Sequence, residues 1–354
     1  MKICNLSFLL LIPFLSCNQP SEFPKASQQT DSLQNQKTAI TGKGNIVFKS
    51  TDDGQTWQNI SKGLPEDLNE DSIRGNSFFA DDKGLFLKVG NDLYHNTTDT
   101  KAPFWAKEIA ANEQNSIDQG KSGIFTYKYW GVNLKKSNGT SIWSPIFENF
   151  HRPGLRSAFE TTGGTIFIGI DRGLFKTTDN GKTWKQVYDG YLVGNLAESD
   201  GVLLATSMRK IIRSTDNGET WEVVTSENGV AWDVKQIEGG FAVITSSSES
   251  STKKWLKTST DGGKTWKPID GSLQSKSIID SIWRNGNDGL RKYGITASIL
   301  QVGENYYSTH RDGIYKSMDK GITWKLLLPS QKDKFYALFV TGNDIYAIAL
   351  KGGC

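Results

Sequence analysis

The chain has 354 residues, of which 36 are glycine, 9 proline and 11 tryptophan, with 22% charged. That length allows two ordinary domains or one large all-β domain, and abundant glycine with scarce proline suits many strands joined by tight turns. A formal net charge of +3, with no lysine- and arginine-rich run, excludes the electrostatic footprint of a nucleic-acid binder.

At the N-terminus Lys2 precedes an apolar run, Leu6 to Leu15, too short to span a bilayer and built like an export signal. The run ends Phe14-Leu15-Ser16-Cys17, which resembles a bacterial lipoprotein cleavage box, although Phe14 stands where Leu is usual. The resemblance implies a lipoprotein-type signal peptide over residues 1–17, with Cys17 as the acylated first residue of the mature chain. Asn18 rather than Asp then implies the outer membrane of a bacterial cell envelope. An ordinary secretory signal, leaving a secreted or periplasmic protein, is the alternative. Only Cys17 and Cys354 would survive cleavage, so lipid on Cys17 leaves no intramolecular disulfide, and stability has to come from packing. Residues 18–41 are polar and aperiodic and are expected to be a disordered tether.

From Gly42 a strand pattern begins, punctuated by one phrase, S/T-x-D-x-G-x-T-W. It occurs at Ser50–Trp57, Thr177–Trp184, Ser214–Trp221, Ser259–Trp266 and Ser317–Trp324. Short strand-like runs flank it, such as Gly173-Leu174-Phe175-Lys176 before one copy and Lys325-Leu326-Leu327-Leu328 after another, so each copy is a hairpin turn. Asp52, Asp179, Asp216, Asp261 and Asp319 are expected to accept backbone N–H bonds in Asx-type turns, a structural role. The glycine supplies angles that a Cβ forbids, and the tryptophan returns the chain to the core. Two degenerate copies fill the long gap: Asn96-Thr97-Thr98-Asp99 with Trp105, and Ser137-Asn138-Gly139 with Trp143. Seven repeats of 37 to 58 residues predict an all-β fold, a seven-bladed β-propeller over 42–354 with four antiparallel strands per blade. Asn45–Lys49 and its turn make a third and fourth strand, while Phe335–Val340 and Asp344–Leu350 make a first and second. A blade shared between the two ends would close the ring and remove open sheet edges. Trp57, Trp105, Trp143, Trp184, Trp221, Trp266 and Trp324 are expected between neighbouring blades.

The phrase resembles the Asp-box, or BNR repeat, of bacterial sialidases and other β-propellers, in which the box lies away from the binding site. With its S-T-D-x-G-x-T-W form, seven repeats and preceding Gly-x-Ile/Leu-Phe/Tyr-Lys/Arg strands, the chain is most similar to the photosystem II stability/assembly factor-like propellers. That resemblance implies a non-catalytic platform whose arginine-lined face holds a partner, with no cofactor.

Strand alternation puts the boxes on one face and the second-to-third turns and blade connections on the other, where function is sought. Those turns hold Lys88, Lys128, Arg172, Arg209 with Lys210, Lys253 with Lys254, His310 with Arg311, and Lys351. The connections add His151, Arg152, Arg156, Arg284 and Arg291, and the aromatics Trp130, Trp232, Trp283 and Tyr293. The candidate ligand-binding set is Arg172, Arg209, Arg311, Arg284, Trp130, Trp232 and Trp283. It is suited to an anionic or acidic partner, protein or acidic glycan, with the membrane reached through the anchor and no nucleic acid involved. A glycosidase or lyase acting on acidic glycans is the rival class. Arg172, Arg209 and Arg311 could grip a carboxylate, but the sialidase Arg-Ile-Pro motif is absent and nothing selects two carboxylates among Asp67, Asp118, Glu148 and Asp280. No catalytic residue is therefore nominated. His95, His151 and His310 form no recognised metal-ligand spacing, and no metal is expected.

Overall fold

The apolar runs between the boxes become strands, and the boxes become the turns between them. The computed structural model describes residues 44–73, 77–81, 84–97, 105–108, 116–128, 131–136, 143–148, 154–208, 210–224, 229–247, 254–270, 273, 298–310, 312–330 and 334–351. The chain divides into residues 1–39 and 40–354, and all described residues belong to the second unit. Among them there is no α-helix, Glu70–Ser72 form a 3-10 turn, and the strands form seven four-stranded antiparallel sheets.

Sheets B to G each take four consecutive strands, spanning 78–108, 116–148, 155–191, 193–224, 229–268 and 299–329. Sheet A is different. Its first two strands, Lys334–Thr341 and Asp344–Lys351, come from the end of the chain, and its last two, Val47–Ser50 and Gln58–Asn59, from the beginning. Val47 pairs with Ile348 and Ser50 with Ile345. The first strand of each sheet touches that of the next from A through G, and the first strands of G and A touch as well.

The core lies between sheets. Each buried cluster draws on two of them: Phe125 and Tyr127 of C meet Ile166 and Ile168 of D, and Phe167 of D meets Leu203 and Ala205 of E. Phe48 of A meets Tyr307 and Ile314 of G. A second strand covered on both faces reads as a continuous apolar run, as in Ile166-Phe167-Ile168-Gly169-Ile170, every residue of it buried. Each large side chain so covered contributes roughly 1.5–3 kcal/mol.

All five boxes close in one way. The leading Ser or Thr hydroxyl donates to one oxygen of the Asp and accepts from the box glycine N–H, as in Ser214 Oγ to Asp216 Oδ1 (2.7 Å) and Gly218 N to Ser214 Oγ (2.9 Å). The threonine four residues on donates its N–H and hydroxyl to the carboxylate, at 3.0 and 2.5 Å for Thr220 and Asp216. The same bonds recur at Asp52, Asp179, Asp261 and Asp319. These donors, the threonine hydroxyl foremost, hold Asp179, Asp216 and Asp261 well below the usual carboxylate range and Asp319 at about 2. Gly218 needs to be glycine twice over: its φ is +77°, and an added Cβ would lie 2.3 Å from the Phe167 ring of the preceding sheet. The tryptophans tie sheets together, Trp184 donating to Ile146 O of sheet C and Trp324 to Ile269 O beside sheet F. Trp105, in a degenerate copy, donates to Ile60 O. Thr98, Asp99, Ser137, Asn138 and Gly139 of the degenerate copies lie outside the described residues.

A cation just before a box reaches the box of the next sheet. Lys176 donates to Asn217 O at 2.8 Å, Arg213 to Gly262 O at 2.7 Å, and Lys316 to Asp53 Oδ2 at 3.0 Å. In every case the acceptor belongs to the fourth residue of the neighbouring box. The equivalent residue in sheet F is Thr258, and Lys49 turns instead to Asp344 of its own sheet.

Candidate binding face

Antiparallel strands in sequence place first-to-second turns and boxes on one rim, and second-to-third turns and sheet-to-sheet connections on the other. On that second rim the first strands of sheets D, E and F each carry a bulge. Leu155 pairs with Ile170 and Ser157 with Gly169, which leaves Arg156 as the extra residue. In sheet E the register jumps from Val193–Ser207 to Leu196–Ala205 across Gly194 and Asn195. In sheet F Ala231 pairs with Thr245 and Asp233 with Ile244, which leaves Trp232 over. A bulge re-aims the side chain it carries. Trp232 is accordingly 45% exposed, its indole anchored on Ser246 Oγ at 2.8 Å, while Asn195 Nδ2 donates to Asp233 Oδ1 at 2.7 Å.

Beside the bulges two tight turns meet. A single residue, Leu192, joins the last strand of D to the first of E, and Met208 opens the second-to-third turn of E. Both have left-handed backbones, φ +51° and +38°, and both are exposed, at 44% and 56%. Leu192 N donates to Asp171 O (2.9 Å), and Ser207 Oγ donates to the Tyr191 carbonyl (3.0 Å). Arg172 lies over the exposed Tyr191 ring, 5.9 Å from its centroid, and Arg156 Nε donates to Asp171 at 2.5 Å. Left-handed backbone costs a residue with a Cβ about 1–2 kcal/mol, and such strain collects at functional sites. Here it holds two apolar side chains against solvent beside a guanidinium and the Tyr191 ring.

Of the sequence-derived set, Arg172 and Trp232 fall on this rim, Trp232 from a strand bulge and not from a connection as expected. Arg209, Arg311, Arg284, Trp130, Trp283 and Cys17 lie outside the described residues. Lys88 offers no cation to the face: it is 5% exposed, its amine turns back to Gly90 O, and burial holds it below the ordinary lysine range against the pull of Asp92. Lys351 pairs with Asp71. Asp118, one of the four carboxylates considered above, stands in the first strand of sheet C, where Ala158 N donates to it at 3.0 Å and burial pushes its carboxyl up to about 6. Sequence reasoning missed Tyr191, Leu192, Met208 and Asn195. The available signal was bulky apolar residues in connections of one or two residues, where polar ones are usual. Among the described residues no group of three His, Cys, Asp or Glu could hold a metal ion, and no helix is long and apolar enough to cross a membrane.

Residues 257–268 match the family model of the BNR/Asp-box repeat. No curated protein sequence matches the chain. Among solved structures, one described as YCF48 bound to D1 peptide is 14% identical, with a TM-score of 0.52 over 82% of this chain and 95% of that one. YCF48 from Cyanidioschyzon merolae is 12% identical, with a TM-score of 0.53 over 81% and 98%. PorZ, described as an essential bacterial surface component of the type-IX secretion system of Porphyromonas gingivalis, is 9% identical with a TM-score of 0.51, over 80% of this chain but 38% of that one. Identities this low speak for the fold alone. That fold is a β-propeller, and its strand turns are Asp-boxes.

Proposed function

We propose that this chain is a non-catalytic binding platform: a seven-bladed ring, closed by sheet A, whose face opposite the boxes takes a segment of a partner protein. The carrying observation is the strained, exposed pair Leu192 and Met208 beside Arg172 and Tyr191, with Trp232 exposed on the same rim. Apolar and aromatic side chains next to a guanidinium suit a peptide that brings an apolar residue and a carboxylate together. The YCF48 structure of similar fold, described as bound to a D1 peptide, supports a protein ligand over a glycan. The pairing of both chain ends in sheet A, and the contact between the first strands of G and A, support closure into a ring. Export and anchoring through Cys17 complete the reading and place the platform in the cell envelope. Cys17→Ala should then shift the protein from the membrane to the soluble fraction, and unchanged fractionation would remove the anchor from the account.

The test of the face is site-specific photocrosslinking in the native cell. A photoreactive residue at Met208 should capture a discrete protein band, and one at Lys182 on the box rim should not. Capture should weaken as salt rises, since screening acts over about 8–10 Å at physiological ionic strength. Identical products from the two positions would contradict the assignment.

A further inference from the structure

The box rim should be polar throughout, and at one box it is not. The second and sixth positions of the phrase face solvent; in four boxes they are Thr51 and Gln55, Thr178 and Lys182, Thr215 and Glu219, Thr260 and Lys264. In sheet G they are Met318 and Ile322, 73% and 72% exposed, the two most exposed large hydrophobic side chains among the described residues. The turn itself is intact: Ser317 Oγ, Asp319 and Thr323 make the usual bonds, so neither apolar residue is needed to close it. A single exposed apolar side chain needs no explanation, but two on one tight turn do.

Charge on the same rim is mixed, with exposed Glu238 and Glu304 at the first-to-second turns of sheets F and G, but the residues next to the pair in its own turn are basic. Lys320 and Lys325 flank the pair and are exposed, as are Lys264 and Lys267 of sheet F. Box five packs on that stretch, its Gly321 against Ile269 and its Trp324 indole on Ile269 O. None of the four lysines makes an ion pair among the described residues, and the carboxylates of the two turns, Asp261 and Asp319, are occupied inside their boxes. By contrast, Glu219 in sheet E is held by Lys176 and Lys185.

We propose that this turn is a second contact site, separate from the peptide-binding face, and that it docks on an anionic lipid surface. Two highly exposed apolar side chains on one hairpin turn, with exposed lysines beside them, suit a soft interface that accepts shallow insertion and carries negative headgroups. A protein partner of ordinary affinity would bury about 800 Å² on each side, which two apolar side chains on one turn do not offer.

Amide hydrogen exchange of the full chain, with and without vesicles, reads the turn locally, so association through any other segment leaves the reading unchanged. With vesicles rich in phosphatidylglycerol, exchange in residues 317–326 should slow several-fold; with neutral phosphatidylcholine vesicles it should not. Met318→Thr with Ile322→Gln, the residues of the first box, should abolish the protection while circular dichroism stays the same. Lys320→Gln with Lys325→Gln should weaken vesicle binding through the turn roughly ten- to thirtyfold, each lysine near an anionic surface being worth about fivefold. Absence of protection on anionic vesicles would overturn the proposal, as would equal protection on neutral ones. Protection by poly-glutamate matching that by vesicles would assign the turn to an acidic protein instead. Protection without vesicles, accompanied by a doubled mass, would assign it to a second copy of the chain.

Discussion

Leu192 and Met208 stand where the fold alone would favour other residues. Glycine or asparagine fits a left-handed backbone better, and exposed leucine and methionine gain little from burial where they stand. Asp118 is a second residue that works against stability. Burial raises its carboxyl to about 6 from an ordinary 3.8, so the folded chain holds a proton that the unfolded chain releases. The sign follows: Asp118 is neutral and costs nothing below about pH 4. Stability is lost as pH rises through the window from 4 to 6, and the loss is constant above it. Asp118→Asn keeps an oxygen for the Ala158 N–H and should stabilise the protein by about 1–3 kcal/mol at pH 7.5, with no gain at pH 4. Denaturant unfolding of both proteins at the two pH values checks this; an equal difference at both would mean the carboxyl is not perturbed. The box aspartates act oppositely, since their depressed values make stability present above about pH 4 and lost as pH falls toward 2.

At the scale of the element, the box is a staple within its own hairpin and a dock for its neighbour. Lys316 is mostly buried where it meets Asp53, whose other oxygen accepts from the Tyr307 hydroxyl at 2.9 Å, and this joins sheet G to sheet A. The lysine is the main reason the Asp53 carboxyl sits below its ordinary range, with Tyr307 helping and burial opposing. Lys316→Met should cost about 1 kcal/mol, because the mostly buried lysine ties two sheets together while solvent screens the half-exposed Asp53 carboxylate. Lys49→Met, where the lysine is more exposed and the pair with Asp344 lies within one sheet, should cost clearly less, about 0–0.5 kcal/mol. Equal effects in equilibrium unfolding would mean the contact between sheets adds nothing. The boxes, their glycines and the hairpins around them were legible in the sequence because a fixed turn geometry imposes fixed residues. The latch cations at Lys176, Arg213 and Lys316 were visible as letters, but their acceptors lie on another sheet and only the packing pairs them. Bulges hid Asn195 and the strand placement of Arg156 and Trp232, because one extra residue in a strand alters neither composition nor alternation enough to be read.

At the scale of the molecule, both ends of the chain meet in sheet A and the core is divided among the gaps between sheets. Such an architecture is stiff where sheets pack and free to vary at the rims, so the two rims can serve different contacts. The sharing of one sheet by both ends was legible from unpaired strand patterns at 45–49 and 335–350. The proposed binding surface was legible only as a face, since its strained residues are not glycines and their one sequence mark is a bulky apolar residue in a one- or two-residue connection. The most direct test of the central claim is Leu192→Gly with Met208→Gly, measured for unfolding free energy and for recovery of the crosslinked partner. The account predicts a protein as stable as the original, or more stable by about 1 kcal/mol for each relieved residue, that no longer retains the partner. A clear loss of stability together with undiminished partner recovery would show that these side chains serve the fold and that the binding surface lies elsewhere.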